Sequence, residues 1–177
     1  MTTIALKNKW VAYDSNSTDI NITVLNDGDK LIVDKEGFIC FHEGHIESRD
    51  GYIDIYKKHK NIWHKNFTFK KILTNEDYYR ASFLIVNYNV RVISVLEFIP
   101  YSCEGKNELR YSNLILPLGA IYSIGSGRQA SYAVMDHGGS AEDSVKIAAM
   151  RDIYTGGKIN VIDIIEFGRD NFNINLM

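Results

Sequence analysis

The stretch SAEDSVKIAAMRDIYTGG, Ser140–Gly157, is the most informative in the chain. Ser140 followed three residues later by Asp143 is a variant of the helix capping box, with Asp in place of the usual Glu. Ala141, Val145 and Ala148 then recur at helical spacing, and Gly156-Gly157 closes the segment. The spacing predicts a helix from Ser140 to about Thr155, with Asp152 and Thr155 three residues apart on one face. An aspartate near a helix C-terminus opposes the helix dipole, so a reason other than helix stability is expected for Asp152.

Just upstream, Ala120–Ile124 reads as a strand running into Gly125-Ser126-Gly127, and 128–136 as a second helix ended by Gly138-Gly139. Downstream, Lys158–Phe167 reads as a final strand with apolar residues on both faces, and the polar tail 170–177 as a segment that docks on a neighbour or frays. The first half reads as strands: Thr2–Leu6, Trp10–Tyr13, an alternating run Asp19–Leu25, Leu31–Val33 and Phe38–Phe41. A helix is expected from Ser48 to about Trp63, with Tyr52, Ile55, Tyr56 and His59 on one stripe and Lys57, Lys58 and Lys60 facing out. A short helix at Thr74–Arg80 and the strands Ser82–Tyr88, Val90–Ile99 and Leu109–Leu116 follow, with hairpins at Tyr88-Asn89 and Cys103–Lys106. Runs of antiparallel strands separated by paired helices imply an α+β layered build. Two prolines and no Gly/Ser/Pro-rich linker argue for one domain over residues 1–177.

A net charge of −2 argues against nucleic acid, which asks for a basic face. No stretch approaches the ~20 apolar residues of a membrane span. The start, Met1-Thr2-Thr3-Ile4-Ala5-Leu6-Lys7, lacks the pattern of a secretory signal, so a cytoplasmic location is expected. Cys40 and Cys103 could form one bridge in a secreted chain; in a reduced compartment they are small buried apolar groups.

Four pieces, in order and at compatible spacing, resemble the proteasome β-subunit and bacterial HslV family of N-terminal nucleophile (Ntn) hydrolases. They are Thr2-Thr3-Ile4-Ala5, Ala12-Tyr13-Asp14-Ser15, Ile124-Gly125-Ser126-Gly127 and the Ser140–Gly157 block. The resemblance covers the ends of the chain; the middle, about 45–120, matches only in strand pattern. It implies a four-layer αββα sandwich and a threonine peptidase without cofactor or metal. It also implies a homo-oligomeric ring acting on peptides or unfolded protein, with an ATPase unfoldase as a possible partner.

The site residues follow from the same resemblance. Thr2 is the nucleophile once Met1 is removed, which the small second residue permits. A threonine hydroxyl needs a base, and an α-amine, with an ordinary pKa near ~8, supplies one. Lys30 lies beside the nucleophile, with Lys35 as its rival, and Asp14 and Asp152 hold its ammonium. Ser126 hydrogen-bonds the amine and relays a proton. Thr155 stands where the family has serine. The oxyanion donor is expected at the amide of Phe41 or His42, in Phe41-His42-Glu43-Gly44-His45. If Met1 stays, Thr2 has an amide in place of an amine, and the chain is a structural or assembly protein of the same fold.

Competing motifs are weak. His42-Glu43-Gly44-His45 is not the His-Glu-x-x-His of zinc peptidases. Gly125-Ser126-Gly127 is neither a Gly-x-Ser-x-Gly elbow nor a phosphate loop.

Overall fold

The computed structural model describes residues 2–18, 24–25, 30–44, 46–72, 79–103, 106–174 and 176. In chain order the elements are β1 (Thr3–Lys7), β2 (Trp10–Asp14), β3 (Ser17–Thr18), β4 (Val24–Leu25), β5 (Leu31–Asp34), β6 (Phe38–Gly44) and α1 (Ile46–Lys58). After a 3₁₀ turn at Lys60–Ile62 come β7 (Phe67–Ile72), β8 (Ala81–Asn87), β9 (Val92–Cys103), β10 (Lys106–Leu116) and β11 (Ile121–Gly125). The chain then runs through α2 (Arg128–Asp136), α3 (Ala141–Arg151), β12 (Ile159–Asp163) and α4 (Ile164–Phe172).

The strands form two antiparallel sheets, ordered β11-β1-β2-β12 and β5-β6-β8-β9-β10-β7, besides the short β3-β4 pair. Alternation along the strands builds the layers. Ile4, Leu6, Val11 and Tyr13 of the first sheet meet Ile39, Phe41, Leu84, Val86 and Val95 of the second in one buried cluster. Ala5 and Ala12 point the other way and pack on Met135, Ala141 and Val145 of α2 and α3; their small side chains let the helices sit close. On the far face, Phe38, Cys40, Phe83 and Phe98 pack on Tyr52, Ile53 and Tyr56 of α1. The order is helices, sheet, sheet, helix: the expected αββα sandwich.

The capping box at α3 forms. Ser140 Oγ accepts from the Asp143 N–H at 3.0 Å, and Asp143 Oδ2 accepts from the Ser140 N–H at 3.3 Å, a device of about 1 kcal/mol.

Several sequence expectations are corrected. The last strand ends at Asp163, and a helix follows, because Asp163 Oδ1 accepts from the Ile165 and Glu166 N–H groups as an N-cap. The apolar pair Ile164-Ile165 then sits on the buried face of α4 with Gly168. The tail turns back onto its own core, where Leu176 joins the cluster between the sheets. α1 stops at Lys58, short of Trp63. The Trp63 indole takes the Tyr56 carbonyl at 2.8 Å, and the chain tightens into the 3₁₀ turn. The β8–β9 turn spans Tyr88–Arg91. β7, unassigned from sequence, extends the second sheet beside β10. Most of the Asp19–Leu25 run and of the Thr74–Arg80 helix lies outside the described residues. Cys40 is buried, and burial pushes its thiol up to about 12, which makes it unreactive at neutral pH; the side chain of Cys103 lies outside the described set.

Candidate active site

The two ends of the chain converge at one edge of the sandwich. Thr3 opens β1 with Thr2 just ahead of it, the end of β2 delivers Asp14, and Lys30 comes just before β5. The turn after β11 brings Ser126, and the segment after α3 brings Asp152 and Thr155. Thr2 is 2% exposed, Asp14 0% and Lys30 7%.

Thr2 Oγ1 donates to Asp14 Oδ1 and accepts from Lys30 Nζ. Lys30 Nζ also donates to Asp14 Oδ1 at 3.0 Å. The rest of Asp14 is held by backbone: the Thr3 N–H reaches Oδ1 at 2.8 Å and the Gly156 N–H reaches Oδ2 at 3.0 Å. A carboxylate with this many donors is fixed in place and tolerates complete burial. Burial pulls the Lys30 ammonium below the ordinary lysine range, and the charge and hydrogen bond of Asp14 oppose that fall. The rival, Lys35, is exposed in the turn between β5 and β6.

Asp152 and Thr155 meet by a route other than the expected helix. α3 ends at Arg151, and Asp152 is extended (φ −121°, ψ 115°). A tight turn then returns the Thr155 N–H to the Asp152 carbonyl at 3.1 Å. Thr155 Oγ1 donates to Asp152 Oδ2 at 2.7 Å, and the Tyr154 N–H reaches Oδ1 at 3.1 Å. Burial works against the Asp152 charge, but hydrogen bonds from Ser126, Thr155 and the Tyr154 amide hold its carboxyl below the usual range.

Two expected contacts differ. Asp152 does not pair with Lys30; it binds Ser126 Oγ and Thr155. Ser126 reaches the Thr2 carbonyl, through its N–H at 2.9 Å and its hydroxyl at 3.4 Å, in place of the Thr2 nitrogen. The hydroxyl proton serves either Asp152 or that carbonyl at one time. Gly125 makes this closeness possible: at φ +99°, a Cβ there would lie 1.8 Å from the Thr2 carbonyl oxygen.

The expected oxyanion donors are both engaged. The His42 N–H donates to the Lys30 carbonyl at 3.0 Å. Along the same strand, alternation turns the Phe41 N–H toward β8. Gly44, two residues past His42, lies on the same edge as the His42 amide. A Cβ on Gly44 would meet the Arg80 carbonyl oxygen at 2.7 Å, at φ +126°.

Three participants were missed from sequence. Thr3 Oγ1 lies 2.6 Å from Thr155 Oγ1 and accepts from the Gly127 N–H at 3.1 Å. The signal was present in the Thr2-Thr3 pair, since consecutive strand residues send their hydroxyls to opposite faces. Gly156 contributes an amide that any residue type could supply. Gly44 was legible only as a glycine at a strand end. Among the described residues, no group of three His, Cys, Asp or Glu is placed to hold a metal, and no helix is long and apolar enough to cross a membrane.

No family model and no curated protein matches the sequence. Among solved structures the chain is similar to eukaryotic HslV from Trypanosoma brucei, at 15% identity. The match covers 91% of this chain and 97% of that one, with a TM-score of 0.56. With two stacked antiparallel sheets between helical layers, and with that likeness in shape, the chain has a layered α+β fold similar to that of HslV.

Proposed function

We propose that this chain is a threonine peptidase whose nucleophile is Thr2, exposed as an amino-terminal residue by removal of Met1. The reading is carried by one observation: a buried hydroxyl next to the chain start receives a hydrogen bond from a lysine and gives one to an aspartate. A structural threonine has no need of a buried ammonium, whose burial costs several kcal/mol.

Thr2 Oγ1 attacks the peptide carbonyl, and its proton passes to the neutral Thr2 amine, directly or through water. Lys30 steadies the developing alkoxide, and Asp14 holds Lys30 in place. The Gly44 N–H serves the oxyanion, in the role expected of Phe41 or His42. The amine proton goes to the leaving amine, and an ester on Thr2 remains. Water, deprotonated by the same amine, cleaves that ester and restores the hydroxyl. Asp152, Thr155 and Ser126 act behind the centre: Ser126 braces the Thr2 carbonyl and Thr155 the Thr3 hydroxyl, and Asp152 holds both.

The substrate class is peptide or unfolded protein, and the working form is a homo-oligomeric ring in the cytoplasm, with an ATPase unfoldase as a possible partner. Support for assembly comes from the C-terminal end of α3 and the turn after it, where Met150 and Ile153 are 76% and 79% exposed. All of this takes residues 1–177 as a single domain.

The test is the intact mass of natively produced protein, together with turnover of small fluorogenic peptides. Loss of one methionine and turnover abolished by Thr2→Ala, with assembly kept, is the expected result. Retained Met1 in active material, or equal turnover by Thr2→Ala, excludes Thr2.

A further inference from the structure

Thr3 has no step in the mechanism above, yet it bonds on two sides at once. Its backbone N–H donates to Asp14 Oδ1 at 2.8 Å, the same oxygen that takes the Lys30 ammonium and the Thr2 hydroxyl. Its side chain reaches the groups behind the centre, where Thr3 Oγ1 lies 2.6 Å from Thr155 Oγ1. The residue is completely buried, so each polar atom depends on a protein partner.

The direction of the hydroxyl bond follows from proton counting. A hydroxyl has one proton to give and lone pairs with which to accept. Thr155 Oγ1 lies 2.7 Å from Asp152 Oδ2, a carboxylate oxygen that can only accept, and spends its proton there. It has none left for Thr3. Thr3 Oγ1 accepts the Gly127 N–H at 3.1 Å, which leaves its own proton for Thr155. The bonds therefore run in one sense, from the Gly127 amide through Thr3 and Thr155 to Asp152. Gly127 leaves room for them: a Cβ there would lie 2.2 Å from Thr3 Oγ1 and 3.1 Å from Thr155 Oγ1.

These bonds close a loop around Asp14. Gly156, next to Thr155 in the chain, gives its N–H to Asp14 Oδ2 at 3.0 Å. Each Asp14 oxygen thus takes a backbone donor, one from Thr3 and one from Gly156. The two donors are tied to each other through the bond from Thr3 to Thr155. We propose that Thr3 is a positioning residue: its hydroxyl, donating to Thr155, clamps the two backbone amides that orient the Asp14 carboxylate, and through Asp14 it places Lys30 and the Thr2 hydroxyl. The inference rests on reading Thr2 as the nucleophile. A carboxylate gripped at both oxygens keeps its plane, and Lys30 stays where the attacking oxygen needs it. With the clamp open, Asp14 loosens its hold on the ammonium, which then gives up its proton at lower pH.

The experiment titrates Lys30 by NMR in the full chain labelled with [ε-13C]lysine, which needs no turnover, and reads kcat and KM on a fluorogenic peptide. The chains are wild type, Thr3→Val, Thr3→Ser, Thr155→Val and the double variant Thr3→Val/Thr155→Val. Ser131→Ala is the control, because Ser131 is also a fully buried hydroxyl, donating to Ser144 Oγ at 2.9 Å between α2 and α3. Thr3→Val is expected to lower the Lys30 titration by about half a unit. It should lower kcat on the order of tenfold and leave KM near wild type. Thr3→Ser should restore both, and the control should move neither. The double variant should lose no more than the larger single loss, since both substitutions open one clamp. Lys30 titrating alike in wild type and Thr3→Val overturns the proposal, as do losses that multiply in the double variant. If Thr3→Val fails to fold, Thr155→Val breaks the same bond from its other end and must shift Lys30; an unmoved Lys30 there is equally decisive. A shifted Lys30 in chains that turn over no peptide would sink the peptidase reading and leave the clamp. Turnover that depends on Thr2, with Lys30 unmoved by Thr3→Val, would do the reverse.

Discussion

The end of the sandwich at Thr2 and the layer beneath α1 are buried to similar depth by opposite means. Beneath α1, aromatic rings fill the space: Tyr52 stacks on Phe98 at 4.0 Å, Tyr56 on Trp63 at 4.9 Å, and Phe83 meets Phe98 edge-on. At the other end Thr2, Thr3, Asp14, Lys30 and Thr155 are buried, and each is held by hydrogen bonds or an ion pair. Apolar packing tolerates many solutions of similar volume. A buried polar network is costly unless each member finds its partner. A fold that needed only stability would use the first kind at both ends, so the second marks where chemistry is expected.

The comparison breaks first at Thr2. Thr2→Ala leaves the Lys30–Asp14 pair intact, so the fold should persist, while turnover of a fluorogenic peptide should fall by about a thousandfold or more. Next comes Asp14→Ala. It strands the Lys30 ammonium in a buried site, and urea unfolding should show a loss of about 3–5 kcal/mol, together with loss of activity. Phe83→Ala, under α1, should cost a similar ~3–5 kcal/mol by leaving a cavity. Its activity per folded molecule should stay near wild type, and that split between stability and turnover is what separates the two regions. Thr155→Val keeps the shape and removes the hydroxyl that binds Asp152. It should cost about 1–2 kcal/mol and lower kcat more than it changes KM.

The smallest effect is one of pH. The folded Asp152 carboxyl lies below its unfolded value, so its contribution is present above about pH 4 and is lost as pH falls through the folded value. The difference in melting temperature between wild type and Asp152→Asn should therefore shrink on acidification below that point. A gap that widens there would contradict the hydrogen bonds assigned to Asp152.

The polar end was the more legible from sequence, and for a physical reason. Its members are polar side chains in short motifs, so the family resemblance could name Thr2, Asp14, Lys30, Ser126, Asp152 and Thr155 singly, and the fold brings all six together. Its connections were less legible. The 152–155 spacing is the same for a helix as for the turn that is present, and only the backbone decides between them. The oxyanion amide carries no side-chain signature, and that the Phe41 and His42 N–H groups are turned into the sheet is visible only in the backbone. Asp163 reads as a polar residue in an alternating strand until its two backbone donors show it to be an N-cap. The layer under α1 was legible as a stripe through Tyr52 and Tyr56, but not in its limits. Trp63 ends the helix by a side-chain bond, and the alternation in Phe67-Thr68-Phe69 that forms β7 was passed over.

The most direct measurement compares two preparations of the same chain, one beginning at Thr2 and one with Met1 blocked from removal, on the same fluorogenic peptide. Turnover confined to the chain with the free Thr2 amine is the expected result. Equal turnover by the Met1-bearing chain, or none by either, would contradict the account.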